Sequence, residues 1–416
     1  MGRGDVCVVD LSFGDSGKGT TVDALAAQSS SPPLVVRYNS ACQAAHNVVV
    51  GGLHHTFASY GSGTLAGSPT LVSHFTYVNP ILMKRECNLL LHKTPGLPRI
   101  IIDPECPVLT AYHAVMNRAR EVMRGGAHHG STGHGVGEMS RLIESGGPVA
   151  VISDFTRKLD NAVHILTHLH AEMLALVDGN PDLQNLHPLQ SLSPLDLAIK
   201  IQQSLRYVLN HGGRIECDLD VLADWRGSVI YEGAQGVLLD ELYGFNPHTT
   251  WTDTTPTNAQ ALAIAADRED PFVLGVIRTY MTRHGAGPMP TEGSFRRDDA
   301  YNKEADYVGP FRSGALDLTL LRYANGVANC DGLSVTHLDV LPDRMSTAYA
   351  DGWIPRQHQT LSESFLATYR LRTVKPVHEP FDIERVEQEL APIALKSYGP
   401  DRHDKEFTEF GQRLLA

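Results

Sequence analysis

The 416-residue chain predicts an α/β fold: a large, mainly parallel central sheet with helices on both faces and elaborated loops. Three observations carry this expectation. Short apolar runs rich in β-branched residues recur along the chain, helix-like stretches fall between them, and Gly-rich polar loops follow many of the runs. The first run, 5–10 (DVCVVD), enters the loop FGDSGKGT and then a helix over 18–28. A strand over 34–38 follows, and Gly51-Gly52 between 48–50 and 54–57 reads as a hairpin turn. Strands are expected at 99–102 and 149–153, with helices at 112–123 and 162–177. The segment 178–194, with three prolines and several polar residues, reads as a surface connection. A helix over 198–209, a strand over 228–231, a helix over 259–266 and strands over 272–277 and 333–337 complete the alternation. No repeat or composition shift divides the chain, so a single elaborated domain over 1–416 is expected.

Bulk properties exclude several classes of function. At 42% hydrophobic and 20% charged the chain has an ordinary globular composition, long enough to bury a large core. A formal net charge of -12 argues against a nucleic-acid polymer or an anionic membrane as partner, though not against a local pocket for a small anion. No apolar run approaches the ~18 residues that a spanning helix needs. The start of the chain passes directly into a strand-like run, so a cytoplasmic location is expected. Six scattered cysteines (Cys7, Cys42, Cys87, Cys106, Cys217, Cys330) form no CxxC pair, which suits free thiols.

The loop after the first run holds the most chemistry. Gly14, Gly17 and Gly19 let backbone amides approach an anion closely, the following helix adds its partial positive end, and Lys18 adds a full charge. It is not a Walker A loop, since Ser12 precedes Gly17 by five and Gly19 follows Lys18. Asp15 in its middle would repel a phosphate unless it serves a metal ion or the acceptor of a transferred phosphoryl group. A plain strand-to-helix turn is the competing reading.

Further polar loops follow the other runs: SACQAAHNVV with His46, HHGSTGHGVGE with Thr132, YEGAQGVLLD with Gln235, and HTTWTDTTPTN with Thr250. RTYMTRHGAGPMPTE carries Arg283 and Thr291, and THLD and YGPDR lie near the end. Open α/β sheets bind ligands beyond the carboxyl ends of their strands, so several such loops together point to one site. His164, His168 and His170 share a predicted helix, but with no HExxH pattern a solvated helix face is favoured over a metal site.

In order, these segments resemble the adenylosuccinate synthetase family. Its GDEGKGK appears as GDSGKGT, its NAGHT as QAAHN, and its TTGRGIGP as STGHGVGE. EGAQGTLLD appears as EGAQGVLLD, and STRVGAGPFPTE as MTRHGAGPMPTE. TKLD and GPDR correspond to 336–339 and 399–402, so the resemblance runs from residue 5 to about 403. It implies a P-loop-related fold and a carbon–nitrogen ligase that uses GTP and Mg²⁺. Such enzymes phosphorylate the 6-oxygen of IMP, a 6-oxopurine nucleotide, then displace that phosphate with L-aspartate. Asp15 matches the base, His46 the acid near the 6-oxygen, and Lys18 the phosphoryl clamp. Gly14, Ser16, Gly17, Lys18, Gly19, Thr20, Asp339, Gly399 and Pro400 match GTP-binding positions, with Asp339 reading the guanine. Thr132, Gln235 and Thr250 match positions holding the purine nucleotide substrate. Arg283, Arg312 and Thr291 are the candidates for the amino donor. Asp15 and a backbone carbonyl at Ala45 would hold the metal ion. The family implies a homodimer, with Arg141 the candidate to cross between subunits.

The departures from the family pattern are specific. Ser16 replaces Glu, Asp10 stands where Gly is usual, and Gln43 and Asn47 flank His46 in place of Asn and Thr. In 305–317 a pair of threonines is gone, and of four arginines that grip the amino acid only Arg312 remains. Thr254, Thr255, Pro256 and the VVDLSFG lead-in resemble the viral and archaeal relatives that aminate dGMP. A divergent paralogue acting on dGMP or a modified purine is therefore the alternative, and a catalytically silent guanine-nucleotide-binding protein the second alternative.

Overall fold

The apolar runs pair into sheets in the computed structural model, which describes residues 4–41, 44–94, 96–125, 131–296 and 309–415. Cys42, Gln43, 126–130 and 297–308, and with them parts of three loops named above, lie outside the described residues. In chain order the strands are β1 (Val6–Asp10), β2 (Leu34–Arg37), β3 (His46–Val50), β4 (Leu53–Phe57), β5 (Thr70–Val72), β6 (Ile100–Ile102), β7 (Arg214–Ile215) and β8 (Val229–Glu232). β9 (Phe272–Arg278), β10 (Tyr280–His284), β11 (Phe311–Asp317), β12 (Gly332–Thr336), β13 (Arg344–Tyr349), β14 (Pro376–Pro380), β15 (Ile393–Ser397) and β16 (Lys405–Phe407) follow.

Ten of them form the central sheet, in the order β16-β15-β12-β9-β1-β8-β2-β5-β6-β7. Every neighbouring pair is parallel except the edge pair β15 and β16. Parallel strands need covered faces, which is why their sequences read as unbroken apolar runs. β1 shows how the cover is made. Cys7 and Val9 point into the cluster that holds Ala259 and Leu262. Val6 and Val8 point the other way, onto Val22, Leu25 and Ala26 of the helix Lys18–Gln28. Helices thus pack on both faces, and each fully buried Val or Leu contributes roughly 1.5–3 kcal/mol.

Two smaller sheets hang from this core. β3 and β4 form the expected hairpin, turned at Gly51 (φ 55) and Gly52 (φ 82). β10, β11, β13 and β14 form a second sheet. One expectation is corrected. The run 149–153 is not a strand, because the Asp154 carboxylate accepts from Val151 N at 2.9 Å and starts the helix Ile152–Arg157. Only an isolated bridge from Val151 to Pro107 remains. Among the described residues no helix is long and apolar enough to cross a membrane, and the described cysteines are free.

Candidate active site

Because the central strands run parallel, the loops after β1, β2, β8, β9, β12 and β15 leave the same edge of the sheet. The loop after β1 is the floor of the candidate site. Asp10, fully buried, accepts from Ser12 N (2.8 Å), Ser16 N (2.9 Å) and Ser16 Oγ (2.9 Å). It also forms a 2.9 Å ion pair with Lys18 Nζ, itself 4% exposed. The loop is thus wound around a carboxylate, with Lys18 paired to it. Gly17 takes φ 100, where a Cβ would also lie 3.0 Å from Thr336 Cγ2. Thr336 Oγ1 in turn donates to Ser16 O at 2.7 Å, tying the loop to β12.

Asp15 rises from this floor with φ 59, a left-handed conformation that Asp tolerates better than most residues. Arg278 Nε, at the end of β9, donates to the Asp15 carbonyl at 2.6 Å. The side chain is 31% exposed. Burial pushes its carboxyl upward, but His284, Arg278 and Lys18 outweigh that and hold it below the ordinary range, so it is ionised at neutral pH. An ionised, partly exposed carboxylate can accept a proton or bind a hard cation.

His46, the first residue of β3, sits against the helix start. Its Nδ1 lies 2.5 Å from Glu232 Oε1 at the end of β8. An ionised carboxylate only accepts, so Nδ1 carries the proton and Nε2 is left for a ligand. Glu232 also accepts from Ser62 N at 2.9 Å and from the Ser62 hydroxyl, and Arg37 Nη1 lies 3.9 Å away. Burial raises the Glu232 carboxyl, yet Arg37 and His46 overcome it and hold it at about 2. Burial lowers the His46 imidazole despite Glu232. A Cβ on Gly19 would stand 2.7 Å from His46 Cβ, so this position must be glycine for the histidine to approach. Gly19→Ala is expected to displace His46 and destabilise the fold by about 1–3 kcal/mol. Thermal melting checks the second effect, and a crystal structure with the ring unmoved would contradict the first.

The remaining sequence candidates fall into groups. Gly14 and Thr20 flank the Lys18 loop, Gly14 at φ 86. Asp339, exposed beyond β12, is joined to the end of β15 by Leu338 N donating to Ser397 O at 2.9 Å, which brings it beside Gly399 and Pro400. Gln235 takes φ 54 in the loop after β8, and its Oε1 is buried without a partner among the described residues. Thr250 N donates to Leu239 O at 2.7 Å, within the chain that follows Gln235. Ser140 Oγ donates to Trp251 O at 2.6 Å, which draws the helix Val136–Glu144, and Thr132 just before it, toward that segment. Ala45, exposed, immediately precedes His46.

The amino-donor candidates are more committed to their own loop. Arg283, 2% exposed, donates to Ala286 O (3.2 Å), Pro288 O (2.9 Å) and His248 O (3.0 Å). Its guanidinium stacks 4.2 Å over Phe13, and burial with Arg312 and Arg372 nearby brings it down to about 9. Arg312 pairs with Glu292 at 2.6 Å and donates to Gly287 O at 2.9 Å. Thr291 Oγ1 is buried without a partner among the described residues. Arg141 pairs with Glu138 at 2.7 Å on its own helix. His164 and His168 face each other at 3.3 Å on an exposed surface, whereas His170 packs on Tyr112.

Sequence reasoning assigned no role to Glu232, Ser62, Arg278 or His284. A Glu closing the apolar run VIYE was the available signal, since a carboxylate in a buried strand must be paired. It also missed a separate group at the ends of β5, β6 and β7. There His74 Nδ1 lies 2.7 Å from Asp218, whose N–H donates to Asp103 at 2.8 Å.

Comparison with known proteins gives this arrangement its class. The sequence profile described as adenylosuccinate synthetase matches residues 7–402. The adenylosuccinate synthetase of Ectopseudomonas mendocina is 30% identical, with 97% of this chain and 98% of that one covered. That of Shewanella frigidimarina is 28% identical, with the same shares covered. A fully ligated adenylosuccinate synthetase from Plasmodium falciparum has a TM-score of 0.77 at 18% identity, covering 98% of this chain and 100% of that one. The succinoaminodeoxyadenylate synthetase of cyanophage S-2L, bound to dGMP and dATP, has a TM-score of 0.63 at 16% identity over 100% and 99% of the two chains. The protein is a carbon–nitrogen ligase of the purine-biosynthetic class. It belongs to the adenylosuccinate synthetase family.

Proposed function

We propose that this ligase uses GTP to condense L-aspartate with a 6-oxopurine nucleotide, IMP, through a 6-phosphoryl intermediate. The observation that carries the reading is the ionised Asp15 carboxylate in the same loop as Lys18, beside His46 held by Glu232. Triphosphate hydrolysis does not require a carboxylate base inside this loop. A lactam does, because its oxygen becomes nucleophilic only when N1 loses its proton. Asp15 takes that proton, the electron pair shifts to O6, and O6 attacks the γ-phosphorus as the bond to the β-phosphate oxygen breaks. Lys18 offsets charge on the transferring group, and His46, once its Nε2 takes a second proton while Glu232 steadies the imidazolium from Nδ1, would donate to the oxygen as its acid. The amine of aspartate then adds at C6, and phosphate leaves with the C–O electron pair. Asp15 and the Ala45 carbonyl are hard oxygen donors that suit Mg²⁺, which when bound would supply further charge neutralisation at the phosphates. Asp339, with Gly399 and Pro400, would receive the guanine. A cytoplasmic homodimer fits the family, and light scattering tests the dimer.

A second reading, amination of dGMP, is supported by Thr254, Thr255, Pro256 and the VVDLSFG lead-in, which resemble the dGMP-aminating relatives and whose Asp10 lies beneath Lys18. The S-2L enzyme, bound to dGMP, is the relative that suggests it. The two are separated by incubating the protein with GTP or ATP, Mg²⁺, IMP or dGMP, and each amino acid in turn, and following phosphate release and product mass. Release with IMP and aspartate is the expected result. Release with dGMP alone would transfer the conclusion to the second reading. No release with any combination would leave a silent nucleotide binder and end the enzymatic one.

A further inference from the structure

We propose that His284 is a positioning residue that fixes the Asp15 carboxylate for proton abstraction, an inference that rests on the reading of Asp15 as the base. His284 Nε2 lies 3.3 Å from Asp15 Oδ2. Such contacts are often long before substrate binds and tighten in the complex. His284 is the last residue of β10, where pairing with Phe311 of β11 sets its backbone. The Phe311 ring packs 4.9 Å from the imidazole and limits its rotation. Arg278 holds the Asp15 backbone from the other side, by its 2.6 Å bond to the carbonyl. Asp15 is therefore clamped at two points, one on the main chain and one on the carboxylate.

The family's loop reads STRVGAGPFPTE where this chain has MTRHGAGPMPTE, so a valine without any donor corresponds to His284. The side-chain clamp is thus a feature of this chain. With Nε2–H donating to Oδ2, the other carboxylate oxygen is presented to the purine. Without it, an Asp on a left-handed backbone rotates about its side-chain bonds, and the base meets N1–H in only a fraction of encounters.

Substitution separates this role from packing. Glutamine carries its amide nitrogen where His Nε2 stands, whereas asparagine carries it at the Nδ1 position and valine carries none. H284V and H284N are expected to lose about 10–100-fold in kcat with the purine-nucleotide KM nearly unchanged, as outer partners of a working group do. H284Q should retain most of the activity, with all three variants melting near the parent temperature. Full activity in H284V, or a loss in H284Q as deep as in H284V, would overturn the inference. A second readout needs no turnover: the Nε2 resonance of ¹⁵N-histidine-labelled protein should move on Asp15→Asn, and an unmoved resonance overturns the contact. The same D15N variant tests the underlying reading. An active D15N removes the base assignment itself, whereas an inactive D15N beside a fully active H284V removes only the role of His284.

Discussion

Asp15→Asn is expected to cost about 10²–10⁴ in kcat, the usual contribution of a positioned general base. The replacement is close to isosteric, and asparagine accepts the left-handed backbone that Asp15 adopts at φ 59, so the loop should keep its shape. Lys18, its Asp10 partner and the helix start are untouched. Triphosphate affinity, measured by calorimetry without the purine substrate, should therefore change little while phosphate release collapses. Turnover near that of the parent protein would show that some other group removes the N1 proton.

The second large effect is expected from Glu232→Ala. The substitution strips His46, Arg37 and Ser62 of a common acceptor inside a fully buried site. Breaking a buried charge pair by deleting one partner costs about 3–5 kcal/mol, because the remaining charge stays desolvated. A lower unfolding midpoint in urea measures this, and a midpoint unchanged within error would refute it. Activity should fall with stability, since the His46 tautomer loses what orients it. Acid sensitivity follows from the same group. Glu232 titrates at about 2 in the folded protein against 4.5 ordinarily. A depressed carboxyl stabilises the fold above its ordinary value, and that stability drains away as pH falls from about 4.5 toward 2. Removing Glu232 should flatten this part of the pH–stability curve.

How much of this was legible depended on the kind of signal. Runs such as VCVVD and FVLGVIR announce buried parallel strands because both their faces are apolar, and the helix Lys18–Gln28 has the bounds expected for it. The second sheet was not legible, since strands such as RMSTAY and PVHEP lie partly at the surface and carry no unbroken apolar run. The helix Pro80–Leu91 had a visible start signal, Asn79 capping a helix with proline at its first position. The run at 149–153 misled because its apolar character belongs to a helix entrance capped by Asp154. Within the site, Asp15 and Lys18 stood out as charged residues set among glycines, and His46 as a polar residue between a strand-like run and a hairpin. Their partners did not. Glu232 is 186 residues from His46 and 170 from Ser62, and no local spacing encodes such pairings.

The position of β1 in the sheet has a consequence for synthesis. Its two neighbours, β8 and β9, begin at Val229 and Phe272, so the Gly-rich loop after β1 has no lateral support until those segments have left the ribosome. β12, which anchors Ser16 through Thr336, emerges later still. Until then a strongly apolar strand and the Gly-rich loop it carries have no sheet to join, the circumstance in which slow parallel pairing leaves a nascent chain exposed to aggregation. The Gly-rich loop therefore reaches its final anchored shape only after residues as far as 320 positions downstream of Ser16 have been made.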